Sequence, residues 1–163
     1  MKVFGVTGWK NSGKTGLMER LVAECTARGL SVSTLKHAHH NFDLDQEGRD
    51  SYRHRAAGAK EVAIISANRW AIQHELKGAP EPDPEDILAK MADVDLVLIE
   101  GFKSWTQRKI FCYRAETGGL DMTGIDAVAV ASDTEIAGLS LPRFDLDDTK
   151  GIADFILRDV GLA

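Results

Sequence analysis

Hydrophobic and polar positions along this chain switch between a strand period and a helix period, and the switches mark out its elements. Residues 2–7 form a short β-prone apolar run that stops at Gly8, and the glycine-containing stretch after it leads into a helical pattern. There Leu17, Met18, Leu21, Val22 and Cys25 share one apolar face, which makes Cys25 a core residue, and Gly29 supplies the stop. Residues 31–36 read as a second strand, followed by a polar, histidine-rich stretch from 37 to 48 without a clear period.

A weakly apolar helix is expected over residues 49–58, then a strand pair over 61–67 and 70–76 joined by the short Asn68-Arg69 turn. Residues 78–84 hold three of the four prolines and read as a surface connection. Asp83-Pro84 places a capping side chain and a first-turn proline before a helix over 85–92. Residues 95–99 are a buried strand ending at Glu100-Gly101; further strands are expected over 109–114 and 127–131, with a glycine-rich turn at Gly118-Gly119. A final helix carries Ile152, Phe155, Ile156 and Val160 on one side. Strands alternating with helices imply an α/β fold, a three-layer P-loop NTPase whose sheet is mostly parallel, with the middle hairpin as an antiparallel addition.

At 163 residues the chain fits one well-filled core, so residues 1–163 are expected to form a single nucleotide-binding domain. A net charge of −5 excludes general attraction to nucleic acid or to an anionic membrane, so any anionic ligand must be held locally. Cys25 and Cys112 form no CxxC pair, which argues against a disulfide framework or a cysteine-rich zinc site and for a reducing compartment. No apolar run approaches the length of a bilayer span and the N-terminus lacks the apolar core of a signal peptide, so a cytoplasmic location is expected.

The chemistry is concentrated between the first strand and the first helix. Gly8-Trp9-Lys10-Asn11-Ser12-Gly13-Lys14-Thr15 satisfies G-x-x-x-x-G-K-[ST] in the context that motif needs. Successive amide groups of such a loop form an anion nest, the helix dipole adds positive charge, and the glycines allow close approach. Lys14 can reach β- and γ-phosphates, and the Thr15 hydroxyl can ligate Mg²⁺. A carboxylate is needed near that metal. Asp95 begins its strand, about 16 Å from Glu100 at ~3.3 Å per residue, and ligands lie beyond the carboxyl ends of strands, so Glu100 is the metal-side residue.

Base selection is less direct, because no N-K-x-D element is present. Asp133 follows the 127–131 strand, where its carboxylate could accept the N1–H and 2-amino hydrogens of guanine; a turn or capping role is an equal alternative. The segment from Lys36 to Asp45 leaves the second strand at the same edge and is placed like a switch loop. His37, His39 and His40 with Asp43 and Asp45 do not have a zinc spacing. Asp45 suits a Mg²⁺ or water-positioning role, as phosphoryl transfer needs such an acceptor. Arg49, Arg53, His54 and Arg55 make a local basic patch, either a solvated helix face or a dock for a second anion.

These pieces together resemble the molybdopterin-guanine dinucleotide biosynthesis protein B family over nearly the full length. The resemblance is carried by the P-loop with Asn11-Ser12, Lys36-His37-x-His39-His40 with Asp45, Gly48-x-Asp50-Ser51-Tyr52, Ala57-Gly58-Ala59, Arg69-Trp70-Ala71, Glu100-Gly101-Phe102-Lys103, the run from Ala129 to Asp133, and Ile152-Ala153-Asp154-Phe155. It implies a dimeric GTP-binding adapter with weak GTPase activity that acts with the molybdenum cofactor guanylyltransferase, with guanine as the base, molybdopterin as a possible second ligand, and His37 and Asp45 assigned to the nucleotide site. The stretch 114–126 is more compact than in longer members.

Three other readings share the P-loop. A GTP-dependent metallochaperone for nickel enzymes should show paired cysteines or a Cys-Pro-His motif, and this chain has neither. A small-molecule kinase would use an arginine-rich lid, for which Arg49, Arg53 and Arg55 are the material. A non-catalytic binding module would hold nucleotide without releasing phosphate.

Overall fold

Parallel strands built from almost uninterrupted apolar runs organise the larger part of the chain. A computed structural model describes residues 1–38 and 42–163. They fall into two compact units, residues 1–38 with 93–163, and residues 42–92.

In the first unit β1 (Lys2–Gly8), β2 (Val32–Lys36), β5 (Leu96–Glu100), β6 (Lys109–Tyr113), β7 (Ala129–Ser132) and β8 (Arg143–Asp145) form one sheet in the order β2-β5-β1-β6-β7-β8. Every pairing in it is parallel. Leu96 to Ile99 and Ile110 to Cys112 have no exposed surface, as expected of central parallel strands covered on both faces. Helices α1 (Lys14–Ala27) and α4 (Thr149–Val160) set Leu17, Leu21, Cys25, Ile152 and Ile156 against Phe4, Val6, Leu98 and Ile110 in one core cluster. A smaller cluster joins Phe111, Ala127 and Val130 to Leu120, Met122, Ile125 and Leu139.

The second unit contains α2 (Asp50–Ala56), the antiparallel pair β3 (Glu61–Ile65) and β4 (Trp70–His74), and α3 (Pro84–Leu88). The hairpin is thus a separate two-stranded sheet. Its turn is organised by Ser66, whose amide and hydroxyl donate to the Arg69 carbonyl at 2.9 and 3.1 Å. Packing of α2 against β3 buries Val62, whereas Ile65 and Trp70, paired on the opposite face, are 82% and 70% exposed.

Two local expectations are corrected. The helix after Pro84 ends at Leu88 rather than 92, and Asp83 stands at its N-cap without a side-chain capping bond, so the fixed φ of Pro84 rather than a carboxylate starts it. The strand β8 has no periodic signal because it is only three residues long; its register against β7 holds it in place.

Candidate functional site

The P-loop is shaped by positions where a side chain cannot fit. Gly8 has φ 147°, and a Cβ there would lie 2.4 Å from the Cys112 carbonyl oxygen and 2.5 Å from Ser12 Oγ. Asn11 and Gly13 also take positive φ, 65° and 89°, which curls the loop back on itself. Gly13 is the N-cap of α1 and offers no side-chain acceptor, so the first-turn amides are left for a ligand. Ser12 Oγ is buried and has no hydrogen-bond partner among the described residues. Such an orphaned hydroxyl, a concave backbone and an uncapped helix start fit a bound phosphate chain.

Charges converge on this loop. Lys14 Nζ donates to the Trp9 carbonyl at 2.6 Å and so lies along the rim of the nest. Burial pushes its ammonium below the usual lysine range; Lys103 and Lys36 act in the same direction and Glu100 opposes them. The nearby Cys112 thiol is pushed up to about 12 by burial and is neutral at physiological pH, so Glu100 is the counter-charge that matters. Glu100 ends β5 in register with Lys36 on β2, with 3.5 Å between their charged groups. Thr15 is exposed on the first turn of α1 and lines, with Lys36 and Glu100, the mouth of a groove running along α1 and β2. Lys10 and Asn11 are exposed on the outer side of the loop.

The unit therefore brings Lys14, Thr15 and Glu100 to one edge with His37. The His37 ring stacks on Phe102 at 4.4 Å, and its amide donates to the Glu100 carbonyl at 3.0 Å. Asp95 is at the opposite end of β5, where it accepts from the Ser31 amide and hydroxyl at 2.8 and 2.6 Å. Asp133 follows β7 and is exposed, but one of its oxygens accepts the Ala115 amide at 3.0 Å. That bond reaches across 18 residues to the start of the helical turn Ala115–Thr117, so it joins two loops rather than closing a local turn at Asp133.

Asp45 belongs to the second unit. There its Oδ1 accepts from Ser51 Oγ at 2.7 Å, and its Oδ2 is 4.0 Å from Arg55 Nε. Arg55 also pairs with Asp43 at 2.6 Å and Glu75 at 3.1 Å, which removes it from the basic patch; Arg49, Arg53 and His54 remain exposed. His39 and His40 lie outside the described residues, and no group of three metal-ligating side chains occurs among the described ones. No helix of the described residues is long and apolar enough to cross a membrane.

Sequence reasoning passed over Lys36 and Lys103 as individual site residues. The signal for Lys36 is that it closes a strand parallel to the one closed by Glu100, and for Lys103 that it follows Glu100 by three residues.

The profile of the family described as molybdopterin guanine dinucleotide synthesis protein B matches residues 3–133. The chain is 40% identical over 158 residues to the molybdopterin-guanine dinucleotide biosynthesis adapter protein of Haemophilus influenzae, covering 94% of this chain and 86% of that one. It is 36% identical over 155 residues to the adapter protein of Escherichia coli, with 92% and 88% covered. Among solved structures, a MobB protein homolog from Bacillus stearothermophilus superimposes with a TM-score of 0.76 at 28% identity over all of both chains. Bacillus subtilis MobB does so with 0.77 at 26% identity over 98% of each.

Proposed function

The chain belongs to the molybdopterin guanine dinucleotide synthesis protein B family and is an adapter protein of that biosynthesis; we propose that it works as a Mg²⁺-dependent GTP-binding protein with weak GTPase activity. The observation that carries this is the nest from Gly8 to Thr15, with Lys14, Lys36 and Glu100 gathered at its edge. Backbone amides and Lys14 would hold the phosphates, and Lys10, Asn11 and His37 flank them. Thr15 and Glu100 supply hard oxygen donors suited to Mg²⁺, which when bound neutralises phosphate charge. Asp45, in the second unit, keeps its own assignment as a Mg²⁺ or water-positioning acceptor, to be tested by Asp45→Asn. The Asp133 carboxylate is assigned to guanine, as acceptor of its N1–H and 2-amino hydrogens. Turnover on the order of 10⁻⁴ s⁻¹, as in unassisted small GTPases, is expected of such a site acting alone.

The same reading makes residues 1–163 one functional domain, with the pathway's guanylyltransferase as its partner and molybdopterin as a second ligand. A homodimer is supported by the outer face of β3 and β4, where Ile65, Trp70 and Ile72 stay exposed while α2 covers the other face of β3. Two free, buried cysteines suit the reducing cytoplasm.

Titration calorimetry of GTP and ATP with Mg²⁺, on the wild type and on Lys14→Ala, tests the proposal. GTP is expected to bind more tightly than ATP and to lose its affinity in the variant. Equal or preferential ATP binding would sink the guanine assignment and favour phosphate transfer to another acceptor.

A further inference from the structure

A lysine with no exposed surface stands at the start of β6. Lys109 pairs in register with Gly5 of β1, where a Cβ would lie 2.8 Å from the lysine Cβ, so the missing side chain of Gly5 lets the stem pass. Its ammonium donates to the carbonyls of Phe102 at 3.4 Å, Lys103 at 2.9 Å and Trp105. Three donors meet three acceptors, which is what an ammonium needs to be tolerated without water. All three carbonyls belong to the loop that leaves β5 directly after Glu100.

That loop is held in an uncommon shape. Gly101 and Phe102 take φ 95° and 45°, the second of these being the left-handed region that an aromatic residue enters only when its surroundings hold it there. Phe102 is pinned by its stack on His37. The next residue, Lys103, lays its ammonium 3.4 Å from the centre of the Trp9 indole, inside the P-loop, and the indole is itself fixed by donating Nε1–H to the Asp121 carbonyl at 2.7 Å.

The geometry points to Lys103 as a second phosphate-binding cation of the P-loop, and to Lys109 as the residue that positions it. This rests on the nucleotide reading above and deepens it. Resting on a partly exposed ring favours the ammonium by about two- to fivefold, whereas a hydrogen bond between charged groups is worth about 10- to 100-fold, so a phosphate within reach takes the lysine from the indole. Because Lys103 leaves from the metal-side carboxylate, the group it serves is the terminal phosphate of a triphosphate.

The test is calorimetry with Mg²⁺ and either GDP or the non-hydrolysable analogue guanylyl imidodiphosphate, on wild type, Lys103→Met, Lys109→Met and Lys14→Ala. Trp9 emission is followed in a Trp70→Phe/Trp105→Phe background. Lys103→Met is expected to weaken the analogue about tenfold or more and to leave GDP within about twofold. It should also abolish the analogue-induced change in Trp9 emission. Lys109→Met should produce the same selective loss, with no further loss in the double variant. Equal weakening of both nucleotides, or none, overturns the inference, and Lys103→Met decides it even if Lys109→Met fails to fold. If Lys14→Ala abolishes binding while Lys103→Met changes nothing, only this inference falls; if the wild type binds neither nucleotide, the reading beneath it falls as well.

Discussion

Lys36 and Glu100 close neighbouring parallel strands in register, their charged groups 3.5 Å apart at the edge where the P-loop opens. Lys36 is well exposed, so the pair adds only ~0–1 kcal/mol to folding. Glu100→Gln should therefore lower the melting temperature by no more than about 4 °C. The gain in nucleotide affinity on adding Mg²⁺ should fall about tenfold or more, as when a metal site loses a carboxylate or its support. Calorimetry with and without Mg²⁺ checks this, and an undiminished Mg²⁺ effect would remove Glu100 from the metal.

Glycines separate shape from stability. Gly8→Ala drives a methyl into the Cys112 carbonyl and Ser12 Oγ, so the loop must move, at a cost of roughly 1–3 kcal/mol, with nucleotide binding lost. Gly29→Ala faces open space at φ 87° and should cost only about 1–2 kcal/mol of left-handed strain, with binding intact. Denaturant unfolding and calorimetry on both variants decide it; equal effects on binding would show that the cradle is not what holds the ligand.

Acid should weaken the second unit through Asp43. Hydrogen bonds from Arg55 and from the Asp45 amide hold its carboxyl below the ordinary 3.8. A carboxyl lowered in the folded state stabilises it above the ordinary value, and that contribution disappears as pH falls through the lowered one. Wild type should thus melt above Asp43→Asn near pH 6, with the gap closing as pH falls through that lowered value. A gap that persists in acid would mean the ion pair is not its source.

The ribbon face is the expected subunit contact. Replacing Trp70 and Ile65 by Glu and Lys should shift the protein to monomer in light scattering while the far-ultraviolet circular dichroism of the sheet is kept. A variant that stays dimeric would move the interface elsewhere.

Two buried thiols give a simple check on the core. Burial raises both Cys25 and Cys112, so neither should react with a thiol reagent near pH 8 until the chain is denatured. Prompt labelling of the folded protein would show that α1 and β6 open readily.

How much of this was legible depended on distance along the chain. The β1 to P-loop to α1 unit, the apolar face Leu17, Met18, Leu21 and Cys25, and the placing of Glu100 rather than Asp95 at the P-loop edge all follow from local periodicity and strand direction, which neighbouring residues encode. The family resemblance added guanine and the pathway to that reading. Tertiary structure alone decided the rest: the pairing of Lys36 with Glu100, the use of one Asp133 oxygen for the Ala115 amide, the enclosure of Arg55 by Asp43 and Glu75, and the complete burial of Lys109. A charged residue at the start of a strand looks like any solvated end until the sheet register sets it opposite Gly5 and brings three carbonyls to its ammonium. Local pattern reports which face of an element is apolar; where a polar group finds its partners depends on contacts that form only once distant segments are packed together.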